Sequence, residues 1–262
     1  MLEVSQEYWT KRYKTDFSFR SSAHISFSWE YNQYVYKAYI RTLKSLMQNN
    51  QNIIKDKRIL DIGSGTGYYI DFFKKNSVSS LIGTDITDIS VQNLSKKFPE
   101  YQFVQNDITS QLPVLLTDNK YDIISVFDVL YYIIDDDLFQ KAIENISKLC
   151  DDNTIIVITD RFVDQVPNTG LVYFKFRSIA KYSKILNKYG LKIIDRKPVN
   201  FLLKKKIPFQ SFYSLLKWEL SKIHIDFEKM IGAIQYHIDP VFMSGNRSDI
   251  QMILVKKVKQ KH

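Results

Sequence analysis

From Lys57 onward the chain alternates short apolar runs of strand length with longer stretches whose apolar residues recur at helical spacing. The runs "RILDIG", "SSLIGTDI", "YQFVQNDI", "YDIISVFDVL", "NTIIVITD", "LKIIDRKPV" and, after an interruption, "DIQMILVKK" read as strands. Between them, "GYYIDFFKK", "ISVQNLSKKF", "DDDLFQKAIENISKLC" and "FKFRSIAKYSKILNKYG" read as helices, the last closed by a C-terminal glycine. Such alternation predicts an α/β fold: a seven-stranded, mostly parallel sheet sandwiched by helices. Residues 1–50 precede it as an N-terminal helical segment, "EYWTKRY" and then "SWEYNQYVYKAYIRTLKSLM", with "QNNQN" as punctuation. Residues 200–247 break the rhythm and read as a pair of helices inserted before the last strand, too short to bury a core of their own. The expected organisation is therefore a helical substrate or lid segment, 1–50, and a main domain, 51–262, carrying the insertion 200–247.

Composition changes this picture little. Seventeen Tyr and seventeen Phe are many for 262 residues; they serve a core, and they also suit a cleft for flat or apolar ligands. The net charge of +9 raises nucleic acid or anionic lipid as partners. Lysine is spread along the chain, however, with small clusters only at Lys204–Lys206 and Lys256–Lys261, the pattern of a solvated surface. A single cysteine, Cys150, excludes an internal disulfide and a cysteine-based metal cluster and fits a reducing compartment. "MLEVSQEYWTKRYK" is too polar for a signal peptide, and no run approaches the ~20 apolar residues of a membrane span. The expected location is the cytoplasm.

Chemistry concentrates in "RILDIGSGTGYYI". A strand ends at the acid Asp61, and Gly63, Ser64, Gly65 and Gly67 form a turn into a helix. Glycine lets the backbone adopt positive φ and approach a ligand closely, so such a turn marks a cofactor site at the carboxyl edge of the sheet. No Gly-Lys-Ser/Thr comes after it, which excludes the Walker loop, and G-x-G-x-G differs from the dinucleotide spacing G-x-G-x-x-G. The "DIGSGTG" pattern resembles motif I of the class I S-adenosylmethionine-dependent methyltransferases of small-molecule type. The likeness runs over residues 55–160 and more loosely to 262. It implies a Rossmann-like fold and S-adenosylmethionine as cofactor. By that resemblance Asp85, with Ile86 beside it, ends the second strand and binds the ribose hydroxyls. Asp107 ends the third near the adenine amine, with Ile108 against the ring. Phe127 and Asp128 lie where methionine and substrate meet, and Tyr13 and Arg20 are candidates for the cofactor carboxylate. A carboxylate can accept from two hydroxyls or from an amine, so these assignments make chemical sense. The bland alternative is that each aspartate only caps the loop or helix next in the chain.

For the acceptor, nucleic acid is disfavoured. "SVFD" stands where base-amine enzymes usually carry an Asn/Asp-Pro-Pro-aromatic stretch, Cys150 ends the following helix instead of sitting in that loop, and no arginine-aromatic cluster appears. The pieces "YWTKRY", "SAHISFSWEYN", "VFDVLYYI" and "AIQYHIDP" are similar to bacterial methyltransferases of surface-glycan and secondary-metabolite gene clusters. That likeness implies O-methylation of a small hydroxylated acceptor, a sugar or secondary metabolite. The alternatives are small-molecule N-methylation, RNA or protein methylation, and a non-catalytic scaffold. A hydroxyl acceptor calls for a base. His24, in the lid segment, is the first candidate and His237, beside Tyr236 and Asp239, the second; His224 and His262 read as bystanders. Tyr132 stands where related enzymes often hold histidine; with an ordinary pKa of ~10 it would orient a hydroxyl better than deprotonate it. Asp160, ending the fifth strand, can bind substrate hydroxyls or cap the next turn. Asp135–Asp137 read as a helix cap, so no metal is expected.

Overall fold

The computed structural model describes residues 2–163, 174–203, 226–242, 248 and 250–258. Strands β1 (Arg58–Ile62), β2 (Ser80–Asp85), β3 (Gln102–Gln105), β4 (Ile123–Phe127), β5 (Ile155–Arg161), β6 (Leu191–Pro198) and β7 (Ile250–Lys257) form one sheet in the order β3-β2-β1-β4-β5-β7-β6. Neighbours are parallel except that β7 runs antiparallel to both β5 and β6. Central β4 is buried along its whole length and β5 along all but its last residue, as expected of strands covered on both faces. Edge strand β6 instead is buried only at Leu191, alternates exposed and half-buried positions after it, and carries an irregularity between Ile193 and Asp195. The strand order reverses between β1 and β4, so the connections leaving these two strands diverge and open a crevice at their carboxyl ends.

Helices cover both faces. On one, α7 (Asp136–Lys148) and α8 (Ile179–Lys188) press Phe139, Ile143, Ile146, Tyr182 and Leu186 onto the sheet. On the other, α3 (Trp29–Asn49), α4 (Tyr68–Lys75) and α5 (Asp88–Lys97) contribute Leu43, Leu46, Phe73 and Leu94. The N-terminal segment holds α1 (Leu2–Thr15) and the short α2 (Phe19–Ser22) before α3; a four-residue helix α6 (Val114–Thr117) precedes β4. The acidic run does cap α7: Asp135 accepts from the amides of Asp137 and Leu138 (2.8 and 2.9 Å), while Asp136 pairs with Lys175, Arg177 and Lys181.

One boundary differs from the sequence reading. Helix α8 starts at Ile179, capped by Ser178, whose hydroxyl accepts from the Lys181 amide (3.2 Å), and not at Phe174. Burial of Arg177 explains this. Its guanidinium lies 4.0 Å over the Phe139 ring and donates to Asp136 and to the Ile133 carbonyl, which requires a non-helical stretch there. In the insertion, one helix, α9 (Phe227–Phe242), lies within the described residues; the first of the expected pair lies outside them. Helix α9 packs along α3. Tyr31 Oη donates to Gln235 (2.5 Å), Arg41 donates to the Tyr236 carbonyl (2.7 Å), and the Ser28 amide donates to Glu228 (2.9 Å). Among the described residues, no helix is long and apolar enough to cross a membrane.

Candidate active site

The turn leaving β1 is the floor of the site. Gly63, Gly65 and Gly67 have φ of 79°, 56° and 83°, in the left-handed region. The space is as restrictive as the dihedrals: a Cβ on Gly63 would stand 2.3 Å from Val129 Cγ2, and one on Gly65 3.1 Å from the Tyr13 hydroxyl. The amides of Gly63 and Ser64 donate to the Thr84 carbonyl (2.8 Å each), and the Gly65 amide donates to Asp85 Oδ2 (2.8 Å). Asp85 Oδ1 accepts from the Thr87 amide and hydroxyl (2.9 and 2.8 Å). Burial pushes the Asp85 carboxyl upward against these hydrogen bonds. Asp61 sits beneath the turn, outside the cavity wall. Ser125 donates to its Oδ1 (2.6 Å), Oδ2 has no partner, and burial raises its pKa to about 6.

Above the turn lies a cavity of about 810 Å³. Asp85, Ile86, Asn106, Asp107 and Ile108 form one end, at the tips of β2 and β3. Asp107 Oδ1 accepts from the Thr109 amide (2.8 Å), and Asn106 keeps a buried Oδ1 without a partner. Helices α1 and α2 close one side. Gln6 donates to the Ile86 carbonyl (3.1 Å), Ser5 to the Tyr132 carbonyl (3.4 Å), and Ser22 and Thr66 share a hydrogen bond (2.9 Å). Tyr13 is buried in this wall. The guanidinium in the wall is that of Arg12, which donates to the Ala23 carbonyl (2.6 Å) and the Tyr8 hydroxyl (2.9 Å) and lies over Trp9. Arg20 is not in the wall: it points outward to Glu30 at 3.7 Å. Trp9, Arg12 and Tyr13 share one face of α1 at helical spacing, a signal present in "YWTKRY" from which sequence reading took Tyr13 alone.

The tip of β4 forms the opposite wall. Phe127 packs 4.2 Å from the Tyr69 ring, and Asp128 adopts a left-handed φ of 57°. That conformation is held by its amide, which donates to Thr159 O and Oγ1 (3.2 and 2.9 Å), and by the Thr159 hydroxyl, which donates to Oδ1 (3.1 Å). Tyr39 also hydrogen-bonds to Asp128. Tyr36, Tyr39, Tyr69, Tyr131 and Tyr132 line the cavity around this carboxylate. Burial first, and then the negative charge of Asp128 among other groups, pushes each phenol above its ordinary value. These tyrosines, Tyr132 included, are therefore hydroxyl donors near neutral pH and not proton acceptors.

Of the histidines, His24 stands exposed at the cavity rim, where its Nδ1 accepts from the Ser26 amide (3.2 Å); a neutral ring then carries its proton on Nε2. His237 lies on the exposed side of α9 against Tyr236 and outside the cavity wall, because α9 turns other residues toward α3. His224 and His262 fall outside the described residues. Asp160 faces away from the cavity: Tyr182 of α8 donates to its Oδ2 and the Arg161 amide to its Oδ1 (2.6 Å), and burial raises its pKa to about 8. The cavity also gathers residues that sequence reading did not single out, among them Arg161 and Asn200.

The chemistry fits an adenosyl ligand. A backbone cradle that a Cβ would fill adjoins carboxylates on successive strand tips, and the partnerless Asn106 oxygen lies at the same end. A family model described as a methyltransferase domain matches residues 29–196. Among solved structures, the fold is similar to the DhpI–SAH complex, at 14% identity and a TM-score of 0.59 over 98% of this chain and 97% of that one. It is similar also to the N-methyltransferase NodS from Bradyrhizobium japonicum WM9 with S-adenosylhomocysteine (12%, TM-score 0.58, 98% and 99%). Magnesium protoporphyrin IX methyltransferase from Synechocystis PCC 6803 with bound SAH gives 12%, a TM-score of 0.59, and coverage of 98% and 100%. The chain thus belongs to the methyltransferase domain family and is a class I S-adenosylmethionine-dependent methyltransferase.

Proposed function

We propose that this enzyme methylates a hydroxyl of a small acceptor, a sugar or secondary metabolite, with residues 1–50 as the lid over the site in the 51–262 domain. The observation that supports this reading is a single carboxylate, Asp128, oriented by Thr159 and Tyr39 and ringed by phenols in the cavity wall. The bound cofactor supplies an activated sulfonium methyl, so the chain's own residues supply alignment, water exclusion and proton removal. The closely approachable backbone of the Gly63–Ser64–Gly65 turn, Asp61 beneath it, Asp85 with Ile86, Asp107 with Ile108, and Tyr13 with Arg12 in place of Arg20 form the cofactor end. Phe127 forms the wall between the two ends. Asp128 takes the proton from the acceptor hydroxyl, and Tyr131 and Tyr132 donate hydrogen bonds that orient it. His24, with Nδ1 engaged, shapes the rim.

A loss of general-base help typically costs 10²–10⁴-fold. Asp128→Asn is therefore expected to lower kcat for hydroxylated acceptors within that range, read as S-adenosylhomocysteine release, while calorimetric affinity for S-adenosylmethionine stays within a few-fold. A second reading, small-molecule N-methylation, draws on the same cage, since a carboxylate among aromatic rings also seats an ammonium. Turnover of amines but not alcohols across a common panel would favour it.

A further inference from the structure

The cavity extends well beyond the tip of β4. Register places Phe127 beside Thr159, Thr159 beside Met252, and Met252 beside Lys197. Three inter-strand steps of ~4.8 Å therefore separate the edge of β4 from that of β6, on the order of 14 Å. The acids in the cavity wall, Asp85, Asp107 and Asp128, all belong to the tips of β2, β3 and β4; the β5–β7–β6 end shows none among the described residues. That end is walled by Arg161, whose guanidinium lies 5.0 Å over the Phe176 ring, by Phe201 and Leu203, and by Asn200.

Asn200 is held firmly. The Val199 amide donates to the Ile250 carbonyl (3.0 Å) on one side of it. On the other, the Phe201 and Leu202 amides donate to Oδ1 of the fully buried Asp239 (3.0 and 2.6 Å). Asn200 itself is 3% exposed, lines the cavity, and has no hydrogen-bond partner for its side-chain Nδ2. Buried amides in folded proteins are paired with few exceptions, and an unpaired donor in a cavity wall marks where an oxygen belongs. The nearby Ser248 does not fill this role, because its hydroxyl donates to the Ile250 carbonyl (3.0 Å) and accepts from the Ile250 amide (3.2 Å).

We infer that Asn200 is a specificity-determining residue that donates to a carbonyl or carboxylate oxygen carried at the far end of the acceptor, across the span of strand tips from β4 to β6, on the order of 14 Å. The inference rests on the methyl-transfer reading and adds that the acceptor is elongated, with its distant oxygen flanked by apolar groups that meet Phe176, Phe201 and Leu203.

Linear ω-hydroxycarboxylic acids of increasing length, with matching alkanols as controls, test this on the full chain. Methyl transfer is measured at saturating S-adenosylmethionine, and probe binding by calorimetry in S-adenosylhomocysteine. Turnover is expected to peak at the length that spans the cavity, with KM at least tenfold below that of the matching alkanol. Asn200→Leu should raise KM for those acids by roughly 10–100-fold, the range for a hydrogen bond to a charged group, at unchanged kcat. It should leave acids too short to reach, and the alkanols, unaffected. Asn200→Asp, which keeps the shape and removes the donor, should reproduce the loss. Equal effects on all probes, no length optimum, or no binding of any acid by an enzyme that does bind S-adenosylmethionine would overturn the inference. Failure to bind S-adenosylmethionine would instead overturn the methyltransferase reading beneath it.

Discussion

Asp85 holds the glycine turn and lines the cavity, and in the proposed site the same carboxylate meets the ligand. Its two oxygens already accept from the Gly65 amide and from Thr87. Asp85→Asn places an NH₂ group opposite one of these donors, so both the turn and the ligand contact suffer. The expected result is a roughly 10–100-fold weaker S-adenosylmethionine Kd by calorimetry, with the fold retained. Gly63 is constrained twice over, by a φ of 79° and by Val129 at 2.3 Å from a would-be Cβ. Gly63→Ala should destabilise the protein and weaken cofactor binding. Adding Val129→Ala removes the collision but not the ~1–2 kcal/mol of left-handed strain, so thermal melts should show only partial recovery. The turn and the acids at Asp85 and Asp107 were legible because backbone approach and strand-tip chemistry are local in sequence. Arg12 was not: which arginine faces the cavity depends on the phase of α1, and Arg20, in a four-residue helix, is drawn to Glu30. His237 failed for the same reason, since packing on α3 sets which side of α9 faces out.

Helix α9 acts as a brace for α3, the helix that delivers Tyr36 and Tyr39 to the cavity. The brace depends on close approach at Gly232, where a Cβ would meet the Tyr34 ring at 2.9 Å and the Tyr31 ring at 3.2 Å. Gly232→Val should push α9 off α3, at the ~1–3 kcal/mol typical of overpacking. A thermal midpoint lowered by several degrees would report it, together with weaker acceptor turnover and a smaller change in cofactor affinity, because α3 lines the proposed acceptor end. Unchanged stability would mean that α9 does not support α3. The helices themselves were legible from periodicity. What periodicity could not show was that Phe174–Arg177 stays out of α8, because that depends on Arg177 finding Asp136 and the Phe139 ring in distant parts of the chain.

Across the whole molecule, the strand–helix alternation carried the sheet, but not that β7 alone runs antiparallel, since strand direction depends on how the 200–247 connection returns. The same sheet buries three acids, Asp61, Asp85 and Asp160, whose raised carboxyls have consequences opposite to those of the ion-paired ones. Hydrogen bonds from Arg58 hold Asp122 below the usual carboxylate range; burial opposes, but Lys181, Lys175 and Arg177 hold Asp136 lower still. Their stabilisation is present above the unfolded value of ~3.9 and is lost as pH falls through the folded values. Asp61 and Asp160 are raised, to about 6 and about 8. Between pH ~4 and each folded pKa, the unfolded chain has released a proton that the native state still binds, so stability declines as pH rises. Asp61 and Asp160 both act from about pH 4 to 6 and Asp160 continues from 6 to 8, while Asp85, raised as well, adds to the decline above its unfolded value. The thermal midpoint should therefore fall from pH 5 to pH 8. Asp160→Asn keeps an acceptor for Tyr182 but sets an NH₂ opposite the Arg161 amide, so it should start below the wild type at pH 5 and show a shallower fall between pH 6 and 8, because it removes the upper part of the slope. Parallel slopes for the two proteins would show that Asp160 ionises in the fold as readily as it does unfolded.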